Sequence, residues 1–114
     1  MGAVRSSAFV YFEWFLRDAY GVKLLPAAAF TMGWFRPDLY HRILTYSGSF
    51  CDLQPNAEYP DGAWEYHASL IASTPAKPLR VFLSASENDL DWNTDTDQMR
   101  NWVAANEGMA AALA

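Results

Sequence analysis

The stretch VFLSASENDLDW, residues 81–92, ends an apolar run of strand type in three carboxylates, Glu87, Asp89 and Asp91. A carboxylate a few residues beyond a buried strand is placed for one particular task. It can accept a hydrogen bond from an imidazole, fix the ring's tautomer and stabilise the imidazolium formed when the ring takes a proton from a nucleophile. The strand keeps the acid rigid, and the turn aims it into the space past the strand's carboxyl end. Asp89 has the position best suited to that role. A solvated acidic turn reads the same way, because Asp95 and Asp97 continue the run and Asp97 suits a helix N-terminus, where the dipole favours negative charge. At this level both readings stay open.

The remaining residues with chemical capacity are few. His41 follows PDLY at the start of a strand, and His67 sits in the aromatic-rich run AWEYHASLIA. Neither has a second His, Cys or acid at metal-binding spacing, so no metal site is expected and both read as packed or surface histidines. Ser47 and Ser49 in YSGSF lack the strand–Gly-x-Ser-x-Gly–helix setting of a nucleophile elbow, and their small size fits a sharp turn instead. Cys51 is the single cysteine, which excludes an intrachain disulfide and reads as a buried thiol. A reducing, cytoplasmic setting is the expectation.

These residues need elements to hold them. With 52% hydrophobic residues over 114 positions, the chain is too apolar for disorder and long enough for one modest core. Its net charge of −5 and eight scattered Lys and Arg argue against nucleic acid as a partner, since phosphate binding needs a concentrated positive face. Near the N-terminus the apolar run AFVYFEWFL is interrupted by Glu13 and followed by Arg17, Asp18 and Lys23, so neither a cleaved signal nor a membrane span is expected.

Phe9, Phe12, Leu16 and Tyr20, with Phe15 and Ala19 beside them and Glu13 and Arg17 on another face, predict an amphipathic helix over 6–20 that ends at Gly21. Pro26 suits the first turn of a second helix that runs through AAAFTMGWF until Pro37. RILTYSG predicts a short buried strand, residues 49–62 a long loop, and AWEYHASLIA a helix. AKPLRVFLSAS predicts a second strand with Pro78 at its entry. A last helix is expected from about Asp97, capped within Thr94–Thr96, with Met99, Trp102, Val103, Met109 and Leu113 as its apolar stripe. Two strands joined by a helical crossover read as a parallel pair, a short sheet with flanking helices. Two strands alone do not bury both faces of a parallel sheet, so the α/β pattern reads as a piece of a larger one.

From Ala27 to its end the chain resembles the esterase family of α/β-hydrolases that includes enterochelin-esterase-like and carbohydrate-esterase-like enzymes. AAAFTMGWFRPDLYHRILTYSGSF looks like the helix after the nucleophile, the next strand and its turn. GAWEYHASLI, KPLRVFLSASENDLD and NWVAANEGMAAALA look like the following helix, the acid-bearing strand and the helix after it. The resemblance implies a division into a divergent N-terminal segment, 1–26, and an α/β-hydrolase fragment, 27–114. It implies a Ser/His/acid esterase acting on a small-molecule or carbohydrate ester, without metal or organic cofactor. Asp89 matches the triad acid, with Asp91 and then Glu87 as alternatives, and Ser86 stands where the family usually has glycine.

Two departures bear on activity. GVKLLP stands where the family has its SSGG-type elbow, and the chain ends at Ala114 ahead of the family's last strand and histidine. The expectation is therefore a catalytically incomplete member. The competing expectation is a non-catalytic interaction domain. Missing neighbour strands would leave open sheet edges and bare helix faces at Phe30, Trp34, Met99 and Trp102, favouring self-association. The N-terminal helix, through Phe9, Phe12 and Leu16, is the competing cover.

Overall fold

A computed structural model describes residues 25–53 and 55–114. The helix expected over 6–20 lies outside the described residues. Helix α1, Leu25–Phe35, leads to strand β1, Arg42–Tyr46. A long loop and a short helical stretch follow, and the chain then forms β2, Arg80–Ser84, and helix α2, Trp102–Leu113. The two strands are parallel neighbours, with Ile43 opposite Val81, Leu44 opposite Phe82 and Tyr46 opposite Ser84. This is the pairing that the crossover spacing predicts, and the described residues form a small mixed α/β unit around a two-stranded parallel sheet.

Pro26 falls in the first turn of α1, where its missing amide donor costs nothing. The boundary expected between 26 and 27 therefore lies inside that helix. The chain leaves the helix at Arg36, the residue before Pro37, which is sterically disfavoured in the α region. A close approach joins α1 to β1: a Cβ at Gly33 would overlap Ile43 Cδ1 and lie 2.9 Å from the Tyr40 carbonyl oxygen.

The core lies on one side of the sheet. Strand alternation turns Ile43 and Thr45 inward, where Val81 and Leu83 flank them. Phe30 is its centre, meeting Tyr66 at 5.0 Å and Phe50 at 5.6 Å edge to face, with Trp34 stacked at 5.9 Å. The helix faces expected to be bare are closed here: Phe30, Trp34 and Trp102 are all buried. They pack on one another and on Met109, Cys51 and Tyr66. Bare apolar surface is found instead on the other face of the sheet, at Leu44, Tyr46 and Phe82, and on connections outside it, at Leu39, Leu90 and Trp92.

Two helical segments differ from expectation. Residues 62–70 form a 3₁₀ turn, Gly62–Trp64, and then a π-helical segment, Tyr66–Leu70, in which Ile71 N–H reaches back to Tyr66 O. The hydroxyls of Ser73 and Thr74 both donate to Leu70 O, competing for the last carbonyl and stopping the helix. The final helix starts at Trp102 rather than near Asp97, because the cap is Asn101, whose Oδ1 accepts Ala104 N–H at 2.9 Å. Asp97 belongs to a separate 3₁₀ turn, Thr96–Gln98, and Met99 follows it in the left-handed region, outside the helix it was expected to join. Thr94 donates its hydroxyl to Asp91 O at 2.7 Å and so is not the cap.

Candidate functional site

The strands end side by side, and their parallel direction sends both following segments out over the same edge of the sheet. From β1 comes Ser47–Gly48–Ser49–Phe50–Cys51, and from β2 comes the acidic turn. Ser47 N–H donates to Ser84 O at 2.6 Å, so the two exits are tied at the last residue of β2.

The acidic turn is held by its own backbone and by α2. Asp89 N–H donates to Ser86 O, Trp92 N–H to Asp89 O and Thr94 N–H to Asp91 O. Asn101 then fastens the turn to the helix: its Nδ2 donates to Trp92 O and Thr94 O, both at 2.9 Å, while its Oδ1 caps α2. Asn106, one turn along, donates from Nδ2 to Gly48 O at 2.8 Å and so fastens the β1 exit to the same helix. Neither asparagine stands out in the sequence by charge or motif. Asn101, directly before the apolar pair Trp102–Val103, does carry the signal of a helix cap.

Asp89 is half-buried, and its two oxygens differ. Oδ1 accepts the Leu90 N–H at 2.9 Å, whereas Oδ2 is buried with no hydrogen-bond partner among the described residues. Asp91, the alternative acid, is half-buried in the left-handed region at φ 54°. Glu87 is exposed. Ser86 is not left-handed and donates nothing to strain, so serine is compatible with this turn.

Other buried polar atoms lacking partners belong to the same end of the sheet. They are Thr45 Oγ1 near the tip of β1, Ser49 Oγ in its exit and Asn106 Oδ1 above it. Native structures keep such atoms rare, so four at one strand end mark a polar site rather than ordinary core. The described non-glycine residues with positive φ also stand on the connections at this end: Ser47, Asp91 and Met99, at 50°, 54° and 53°. Sparsely populated backbone of this kind concentrates at functional sites.

Cys51 lies beneath, 1% exposed, with Sγ donating to Arg100 O at 3.4 Å. Burial, reinforced by the negative charges of Asp52, Asp91 and Asp89, pushes its thiol up to about 12. It is a structural thiol and not a nucleophile. His67 is half-buried between Trp64, 4.4 Å away edge to face, and the Phe50 carbonyl, which accepts from its Nε2 at 3.3 Å. Burial lowers its pKa below 6.5, so it is neutral at pH 7. His41 precedes β1 at the sheet's amino end, where its carbonyl oxygen accepts Arg80 N–H. It is thus at the opposite end of the strands from Asp89.

A separate cleft of about 220 Å³ opens between α1 and the 53–70 segment, bounded by Thr31, Phe35, Tyr59, Glu65 and Tyr66. None of the candidate acids lines it. No group of three His, Cys, Asp or Glu that could hold a metal occurs among the described residues. None of the helices among those residues is long and apolar enough to cross a membrane. The chain matches no protein-family model, no curated protein and no solved structure.

Proposed function

We propose that residues 27–114 are an esterase-like fragment of an α/β-hydrolase that retains the acid arm of a Ser/His/acid site and does not itself turn over esters. The observation that carries this reading is Asp89. One carboxylate oxygen is pinned by a backbone amide and the other is buried and unpartnered, just past the carboxyl end of a parallel strand. An acid held in this way is ready to accept one N–H donor in a fixed direction, which is what orienting an imidazole requires. The substrate class of the parent activity is a small-molecule or carbohydrate ester.

Turnover needs a hydroxyl nucleophile activated by an adjacent base, with donors for the oxyanion. Among the described residues His67 commits Nε2–H to Phe50 O, and Ser49 Oγ is buried without a hydrogen bond. The acid therefore has no relay to complete. An opposing reading, a non-catalytic interaction domain, draws its support from the exposed Leu44, Tyr46 and Phe82.

Two measurements test the proposal. Incubation with a fluorophosphonate probe and with p-nitrophenyl acetate is expected to give no labelled serine and no turnover above buffer; stoichiometric labelling of Ser47 or Ser49 overturns the incompleteness. Titration with imidazole, followed by amide NMR, is expected to shift the Leu90 amide, with the shift abolished in Asp89→Asn and kept in Asp95→Asn. A shift abolished in Asp91→Asn instead moves the acid to Asp91, and no shift at all overturns the acid arm.

A further inference from the structure

Strand alternation gives the outer face of the sheet three register pairs in a row. From the amino end they are Arg42 with Arg80, Leu44 with Phe82, and Tyr46 with Ser84. The middle is apolar and open: Leu44 is 47%, Tyr46 62% and Phe82 54% exposed, and the Tyr46 and Phe82 rings stand 6.0 Å apart. Arg42 and Arg80 are exposed as well, and neither has an ion pair among the described residues. Like charges directly opposite each other in a sheet repel. Carboxylates brought from outside would relieve that repulsion.

Charge is divided between the two ends of the strands. At the amino end Arg36 and Lys77 lead into the strands that Arg42 and Arg80 begin, with Asp38 paired to Arg36. Past the carboxyl end comes the turn with Glu87, Asp89, Asp91, Asp95 and Asp97, which also exposes Leu90 and Trp92. The strands hold these poles about 17 Å apart, beyond the reach of an arginine on the same copy.

We propose that this face docks a second copy of the chain, sheet against sheet, with the strands of the two copies antiparallel. The two-fold axis then crosses the strands at right angles, level with Leu44 and Phe82. Such an interface uses the same patch twice, so the patch must complement itself. This one does: rotation keeps the apolar middle on the apolar middle and carries each arginine pair over the other copy's carboxyl end. There Arg42 meets the ring of Tyr46 as a cation over an aromatic face, and Arg80 lies over Ser84 with Glu87 just beyond. A two-fold axis along the strands would instead set arginine on arginine and acid on acid. Charge thus selects both the occupant and its direction.

Area sets the strength. About half of three large side chains supplies roughly 300 Å² of apolar surface per copy, against about 800 Å² per partner in a standard stable interface. The dimer is therefore weak and carried largely by charge, which makes salt its lever. The proposal stands independently of the reading of Asp89 as a triad acid.

Sedimentation equilibrium of the full chain, from about 10 to about 500 μM, is expected to show a monomer–dimer equilibrium that weakens about ten-fold or more between about 20 mM and about 0.5 M salt. On dilution, amide NMR shifts are expected within 42–46 and 80–97 and not in 108–113. Two charge-swapped variants add a stricter test. Arg42→Glu with Arg80→Glu, and Glu87→Arg with Asp95→Arg and Asp97→Arg, are each expected to be monomeric alone, because each sets like charges together. Mixed one to one they are expected to dimerise, because both contacts are again opposite in sign. Four results overturn the proposal: a monomer throughout at low salt, as cover of this face by residues 1–24 would give; a dimer indifferent to salt; variants that do not recover on mixing; or dilution shifts elsewhere. The salt and dilution measurements use the parent chain alone, so they decide if a variant fails to fold.

Discussion

The ring of His67 fills the space that a side chain at Gly108 would need: a Cβ built there lies 2.6 Å from Nδ1 and 3.0 Å from Cγ of the imidazole. A glycine inside a helix is otherwise unfavourable, by roughly 1 kcal/mol relative to alanine. Here it lets α2 approach the 62–70 segment closely enough for His67 to reach the Phe50 carbonyl. Gly108→Ala is expected to destabilise the fold by about 1–3 kcal/mol despite its better helix propensity, because the ring must shift and give up that hydrogen bond. Urea unfolding midpoints of the variant and of the parent chain check this.

The same contact predicts an acid limb in stability. Burial lowers the pKa of His67 in the folded chain below its ordinary 6.5. Between the folded and unfolded values the unfolded chain binds the extra proton, so stability rises with pH across that window and falls as pH drops below 6.5. The contribution is fully present above 6.5. Melting temperatures of the parent chain and of His67→Gln, measured from pH 7.5 down to about 5, are expected to converge as pH falls.

The parts of this arrangement that were legible in sequence are those governed by local chemistry. RILTYSG and LRVFLSA are short, apolar and separated by a crossover of sufficient length, so the parallel pair follows. Pro26 and Pro37 bracket α1, and a lone cysteine among apolar neighbours packs as a thiol. What sequence does not reveal is decided by long-range competition. Thr94 and Asn101 are both acceptable caps, and Asn101 prevails because only its amide also satisfies the carbonyls of Trp92 and Thr94. LRVFL looks buried throughout, yet Phe82 is exposed because the described helices all collect on the Ile43 side. Asp89 can be found as a candidate from its distance past the strand. The inequality of its two oxygens depends on the fold of the turn.

The double role of Asn101 gives a prediction that separates cap from clasp. Asn101→Asp keeps a capping oxygen for Ala104 N–H but replaces the donor to two carbonyls with an acceptor that repels them. It is expected to cost more than the roughly 1 kcal/mol of an ordinary lost cap, and to loosen the Asp89–Thr94 turn first. Amide exchange in residues 89–94 faster than in the parent, with α2 still protected, is the signature to look for. Equal loosening of both, or of neither, would show that the clasp does not hold the acidic turn.

Asn106 makes the corresponding tie to the other strand exit. It is 4% exposed, and its Nδ2 donates to Gly48 O and Trp102 O, both at 2.8 Å. Asn106→Leu is nearly isosteric and leaves Gly48 O without its donor. The expected loss is about 1–3 kcal/mol, the range for a buried group left unpaired. Removing the unpartnered Oδ1 offsets part of that. Denaturant titration gives the total, and the Ser47 and Ser49 amides, followed by NMR, are expected to move most.

Cys51 supplies the alkaline counterpart of His67. In the folded chain burial and the neighbouring Asp52, Asp91 and Asp89 raise the thiol from 9.0 to about 12. The unfolded chain loses this proton first. Stability from this group is therefore fully present below 9.0 and is lost as pH rises from there through about 12. Cys51→Ala abolishes that titration at the expense of a small cavity, so its stability relative to the parent is expected to be lowest near neutral pH and to recover on the alkaline side. The thiol is also expected to resist a disulfide reagent such as DTNB in native buffer and to react at once in denaturant, since the thiolate is the reactive form and the folded site withholds both charge and access. Rapid labelling of the native chain at pH 8 would mean that the clasps formed by Asn101 and Asn106 do not keep the carboxyl end of the sheet closed over Cys51.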